Sequence, residues 1–132
     1  MQRARRTAEL AGFDNPEVTS LLREVDYGRY EGLTSDHIHE TDPDWEIFKD
    51  GAPGGESPAQ IYERAGAFID LATQHPDGTL LAFGHGHMLR AIAVAWIRAP
   101  ITVASGLQLD VATLSILGDR ARGRVIALWN SP

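Results

Sequence analysis

His85 stands between two glycines in the run Phe83-Gly84-His85-Gly86-His87. The residues Thr79–Phe83 before it suit a short buried strand. The apolar stretch after it, to about Arg98, suits a helix that Pro100 ends. Strand–turn–helix corners of this kind are where α/β sheets bind ligands, and the first N–H groups of such a helix attract an anion. The glycines let main chain approach a ligand closely. A histidine there donates a hydrogen bond to a phosphoryl oxygen and, as imidazolium, adds charge. Taken alone, the segment reads equally well as a histidine that only caps the helix. The His85/His87 spacing also permits a metal, but no nearby Asp, Glu or Cys completes a ligand set. His87 is expected in the first helical turn, next to the ligand.

Two further segments carry groups of matching chemistry. In Leu22-Arg23-Glu24-Val25-Asp26-Tyr27-Gly28 acidic residues adjoin a glycine-punctuated loop that runs to Gly32. A carboxyl beside a bound phosphate protonates a leaving oxygen and later activates water, and repulsion from the anion would keep it protonated. In Arg3-Ala4-Arg5-Arg6-Thr7-Ala8 three guanidinium groups open a helix. Arginine binds phosphate bidentately, yet at a helix N-terminus it opposes the dipole. Read locally, both segments are ordinary solvated charges.

The elements that must position these groups follow from pattern. Residues 3–11 read as a helix with Gly12 at its C-terminal cap. Leu21–Asp26 is expected to be extended or irregular, with short helices over Ser35–Glu40 and Pro43–Asp50 and a break at Gly51–Gly55. Ser57-Pro58-Ala59-Gln60 starts a helix by capping box and N-terminal proline; Ile61, Ala65, Phe68, Ile69 and Ala72 carry it to about Gln74. His75-Pro76-Asp77-Gly78 reads as a turn. Thr113–Leu117 and Val125–Trp129 read as a hairpin joined by Gly118–Gly123.

Composition narrows the class. The 132 residues are 43% hydrophobic, enough for one domain with a real core. Twelve basic against eighteen acidic residues give a net charge of −6, which argues against nucleic acid as partner. No run approaches a membrane span. The basic start Met1–Arg6 lacks an apolar segment behind it and reads as no targeting signal. The chain has no cysteine, which excludes disulfides and cysteine metal sites and fits a cytoplasmic location.

Set in order, the segments resemble the histidine phosphatase superfamily, in its phosphoglycerate mutase-like branch. Gln2–Glu9 resembles the family's Arg-Ala-x-x-Thr-Ala helix, and Leu22–Thr34 its Glu-x-x-x-Gly-x-x-Glu-Gly segment. Gly54-Gly55-Glu56-Ser57 resembles the Gly-Glu-Ser that opens its long helix, and Phe83–Arg90 its second-histidine motif. Ala112–Ser115 with Leu128-Trp129-Asn130 is also similar to this branch.

The resemblance implies a three-layer α/β/α fold with a mostly parallel central sheet, of which residues 1–132 are one partial domain lacking the first strand and helix. It implies metal-independent phosphomonoester hydrolysis through phosphohistidine, with no cofactor. It assigns Arg3, His85 and Gly86 to phosphate binding, Glu24 and His85 to catalysis, and His87 to the substrate's vicinity. The family's nucleophile is the histidine of an Arg-His-Gly motif ahead of the Arg-Ala-x-x-Thr helix. None of His37, His39, His75, His85 and His87 lies in such a motif. The expectation is that the intact protein is a phosphatase, rather than a mutase, acting on a small phosphorylated substrate, and that this chain lacks the nucleophilic histidine. The alternative is an inactive module that binds inorganic phosphate, or a pseudoenzyme, with exposed sheet edges that would drive homodimer formation.

Overall fold

A computed structural model describes residues 2–75 and 78–132. Helix α1 spans Gln2–Leu10. It ends as the sequence predicts: Gly12 takes φ +89°, and the Phe13 N–H donates to the Ala8 carbonyl at 3.0 Å. That closure turns Phe13 onto Phe83, ring centroids 5.8 Å apart, so α1 is tied to the segment that precedes His85.

A 3₁₀ turn, Ser20–Leu22, overlaps the start of the Leu21–Asp26 run, which is otherwise irregular as one of the two expected readings has it, and a second covers Gly28–Tyr30. Helix α2 is Ser35–His39, and α3 covers only Ile47–Asp50 of the Pro43–Asp50 prediction. Helix α3 begins late because Glu46 is extended and its N–H is taken by the Asp50 carboxylate at 2.8 Å. Helix α4, Pro58–Thr73, carries the predicted capping box in full. Helix α5, Gly86–Trp96, has His85 as its N-cap residue.

α4 and α5 lie together at the centre. Ile61, Ala65, Phe68 and Ile69 from α4 meet Met88, Ala91, Ile92 and Val94 from α5, and Ile38 from α2, Phe48 from α3 and Val25 from the loop close the cluster. Each large side chain buried here contributes about 1.5–3 kcal/mol. Trp45 belongs to this core: it is 7% exposed, its ring edge meets Tyr30, and its indole N–H donates to the Gly51 carbonyl at 2.7 Å.

The chain is of the α/β class. Its sheet among the described residues is an antiparallel pair, β1 (Leu114–Arg120) and β2 (Gly123–Ser131). Both strands run further than predicted, because Arg120 pairs with Gly123 and a two-residue turn, Ala121-Arg122, replaces the longer loop. The predicted buried strand Thr79–Phe83 does not form. Leu80 and Leu81 are 40% and 50% exposed, and no strand lies against this run among the described residues. A strand is stable only when a neighbour takes its N–H and C=O groups. The predicted His75–Gly78 turn includes Pro76 and Asp77, outside the described residues.

Candidate active site

The N-terminus of α5 is where the chemical groups converge. Its second and third N–H groups, those of His87 and Met88, point at the Glu24 carboxylate, at 3.4 and 3.1 Å. The Val25 N–H donates to the same carboxylate at 3.0 Å. Glu24 thus caps a helix 63 residues further along the chain. This interaction also offsets the helix dipole with a full negative charge. The first N–H, that of Gly86, has no partner within the helix by geometry, and a Cβ built on Gly86 meets nothing within 4 Å. Main chain is therefore open to a ligand at the residue the sequence selects.

His87 is packed on three sides. Its Nδ1 is hydrogen-bonded to the Tyr27 hydroxyl and lies 3.9 Å from Glu24 Oε2; its ring contacts Tyr27 edge-on and Phe48 at 5.6 Å. These surroundings decide the charge of Glu24. Burial alone would raise its pKa, but the His87 ring and the Val25 and Met88 N–H groups together bring it down to about 2. At this carboxylate the hydrogen-bond donors outweigh burial. The same carboxylate, with burial as the larger cause, pushes the Tyr27 hydroxyl well above the usual phenol range. Tyr27 therefore keeps its proton at neutral pH.

His85 turns its ring inward. Its Nε2 is buried without a hydrogen-bond partner. Burial lowers its pKa; Glu24 opposes this and Arg3 adds to it, so the imidazole is neutral here. Arg3 is thus close enough to act on His85 electrostatically. Among the described residues, Arg5 and Arg6 pair with Glu9 at 3.2 and 3.3 Å, and Arg3 makes no ion pair. Arg3, Glu24, His85, Gly86 and His87 are all brought to one corner. Trp45 is held in the core instead. His39 is exposed, with its Nε2 hydrogen-bonded to the Trp45 carbonyl at 3.0 Å.

The loop that bears Glu24 is held by two residues that the sequence does not single out. The Glu56 carboxylate receives the Nε–H and Nη2–H groups of Arg64, each at 2.7 Å, and the Asp26 N–H at 2.8 Å. The Arg64 guanidinium also donates to the carbonyls of Leu21 and Arg23 at 3.0 and 2.9 Å. Glu56 is 8% exposed, and a buried carboxylate without such a partner would be costly. The Gly-Glu-Ser run was the available signal. Its Gly55 is equally constrained, since a Cβ there would lie 2.2 Å from the Asp26 carbonyl oxygen.

The family model of the histidine phosphatase superfamily (branch 1) matches residues 1–132. A curated relative, an acid phosphatase of Mycobacterium tuberculosis (strain ATCC 25618 / H37Rv), is 42% identical over 113 residues, which is 85% of this chain and 56% of the relative. The chain spans about half that relative's length. The solved structure of the product of an open reading frame of Mycobacterium tuberculosis superimposes with a TM-score of 0.94 at 39% identity, covering 98% of this chain and 68% of that one. The structure of a mycobacterial glucosyl-3-phosphoglycerate phosphatase superimposes with a TM-score of 0.78 at 25% identity, covering 98% and 72%. The fold is that of the phosphoglycerate mutase-like histidine phosphatases, and the chain belongs to the histidine phosphatase superfamily (branch 1).

Proposed function

We propose that residues 1–132 are the C-terminal part of a single phosphomonoesterase domain that hydrolyses a small phosphorylated substrate through phosphohistidine. The observation that carries this reading is the convergence on the α5 N-terminus: Glu24 on its inner N–H groups, the Gly86 N–H left over, and the unpartnered His85 Nε2 beside them. In this reading the phosphoryl group lies against the Gly86 N–H and His85 Nε2, with Arg3 neutralising its charge. Such sites act by positioning and by electrostatic stabilisation of the equatorial oxygens. An anion there would raise the pKa of both Glu24 and His85. Substrate binding would thereby load Glu24 with the proton it gives to the leaving oxygen, after which the carboxylate activates water. The nucleophilic histidine would come from the part of the relatives that this chain does not span.

The test is hydrolysis of p-nitrophenyl phosphate by the full-length protein. Turnover that His85→Ala and Glu24→Gln each lower by about 100-fold or more supports the reading. Hydrolysis that neither substitution changes would sink it. No hydrolysis with retained phosphate binding would assign a non-catalytic phosphate module instead.

A further inference from the structure

The far end of α5 carries charge that the catalytic corner does not use. A cavity of about 380 Å³ opens there between the helix end and the hairpin, and Trp96, Arg98, Arg122 and Arg124 line it together with Asp119. Along a helix this lies roughly 15 Å from Gly86. α5 ends in a Schellman closure: the Ala99 N–H donates to the Val94 carbonyl at 3.1 Å, and the Arg98 N–H to the Ala95 carbonyl at 3.0 Å. The closure puts Arg98 at φ +57°, where glycine is the favoured residue. It also satisfies carbonyls that a cationic side chain would otherwise cap. Trp96 is tied to β1 by its indole N–H, which donates to the Gly118 carbonyl at 3.2 Å. The Arg124 guanidinium lies 4.2 Å from the centroid of the Trp96 ring. Stacking holds that guanidinium in place and leaves its in-plane N–H groups open.

These cations are not neutralised from within. Asp119 stands opposite Arg124 in the strand register. Yet the ion pairs among the described residues lie at Glu9, Glu24 and Glu56, and none includes Arg98, Arg122 or Arg124. The partial charge of a helix C-terminus, about half an electron, offsets only part of one of them. Three guanidinium groups against one carboxylate leave the cavity positive, in a chain whose net charge is −6. We infer that this cavity is a second anion site, which takes the polyphosphate group of a small molecule. Guanidinium forks match phosphate oxygens bidentately. The volume is that of a small-molecule site, and several forks around it fit linked phosphates better than a single one.

The test is titration of full-length His85→Ala protein, whose catalytic corner lacks a phosphate ligand, with sodium tripolyphosphate. Binding is followed by ¹⁵N NMR of the Trp96 indole and by calorimetry. The expected result is a saturable shift of the Trp96 signal. Arg122→Ala, at an exposed turn position, should weaken binding about tenfold. Arg124→Lys should weaken it about threefold or more, because the charge stays and the fork is lost. ATP separates two sources of the group. Affinity equal to that of tripolyphosphate assigns the phosphate chain alone; affinity at least about tenfold higher assigns a nucleotide, and both support the site. A Trp96 signal that tripolyphosphate leaves unmoved would overturn the inference. So would affinities that neither arginine substitution changes, or citrate binding more tightly than tripolyphosphate. If His85→Ala fails to fold, the wild-type titration decides by the same criteria, because the Trp96 signal reports the far end of α5.

Discussion

The Glu24 carboxyl is shared between folding and chemistry, and its titration exposes both. Its pKa falls from 4.5 to about 2 on folding, so its contribution to stability is complete above the ordinary carboxyl range and is lost as pH falls through about 2. Allowing for the part of the side chain that solvent still reaches, that contribution is on the order of 2 kcal/mol. Urea unfolding of wild type and Glu24→Gln should therefore differ most at pH 7, with the gap narrowing steadily toward pH 2. A gap independent of pH contradicts the capping account. His85 behaves in the opposite sense, since burial and Arg3 favour its neutral form. The sequence names Glu24 and His85 as acid and phosphate ligand, but their ionisation could not be read there. It depends on N–H groups and charges brought in from more than sixty residues away.

Elements set by local chemistry were legible. Helix α4 starts where Ser57, Pro58 and Gln60 dictate, because a capping box needs only four adjacent residues. The Gly12 cap of α1 is similarly local. Thr79–Phe83 was not, because strand formation depends on a neighbour that no local pattern reveals. Nor was the Glu56–Arg64 clamp, in which Arg64 reaches carbonyls more than forty residues away in sequence. The clamp and the tight passage of Gly55 against Asp26 fix the loop that carries Glu24. Gly55→Ala should therefore destabilise the protein by about 2–3 kcal/mol, since main chain rather than a mobile side chain must move. Gly66→Ala, at an open interior position of α4, should stabilise it by about 0.5–1 kcal/mol. Thermal melting of the two variants checks both signs, and equal effects would contradict the assignment of Gly55 as a packing constraint.

At the scale of the whole molecule, the α4–α5 core and the hairpin support one corner of charged groups, while other apolar surface stays open. Leu80 and Leu81 are 40% and 50% exposed, and Leu114 and Ile116 present 48% and 46% along β1. Exposed apolar residues beside a strand edge favour association. The 132-residue chain alone should show an apparent mass that rises with concentration in analytical ultracentrifugation; a monomer at every concentration would contradict this. No helix among the described residues is long and apolar enough to cross a membrane. The family was legible from five short motifs in order, each weak alone; those of Arg3, Glu24 and His85 supply the charged groups around the N-terminus of α5. The most direct test of that meeting is titration of the isotope-labelled full-length protein with inorganic phosphate, followed by NMR. The account predicts that the Gly86 amide and the His85 ring shift together and saturate, and that His85→Ala abolishes saturation. Saturable binding that leaves both signals unmoved would contradict it.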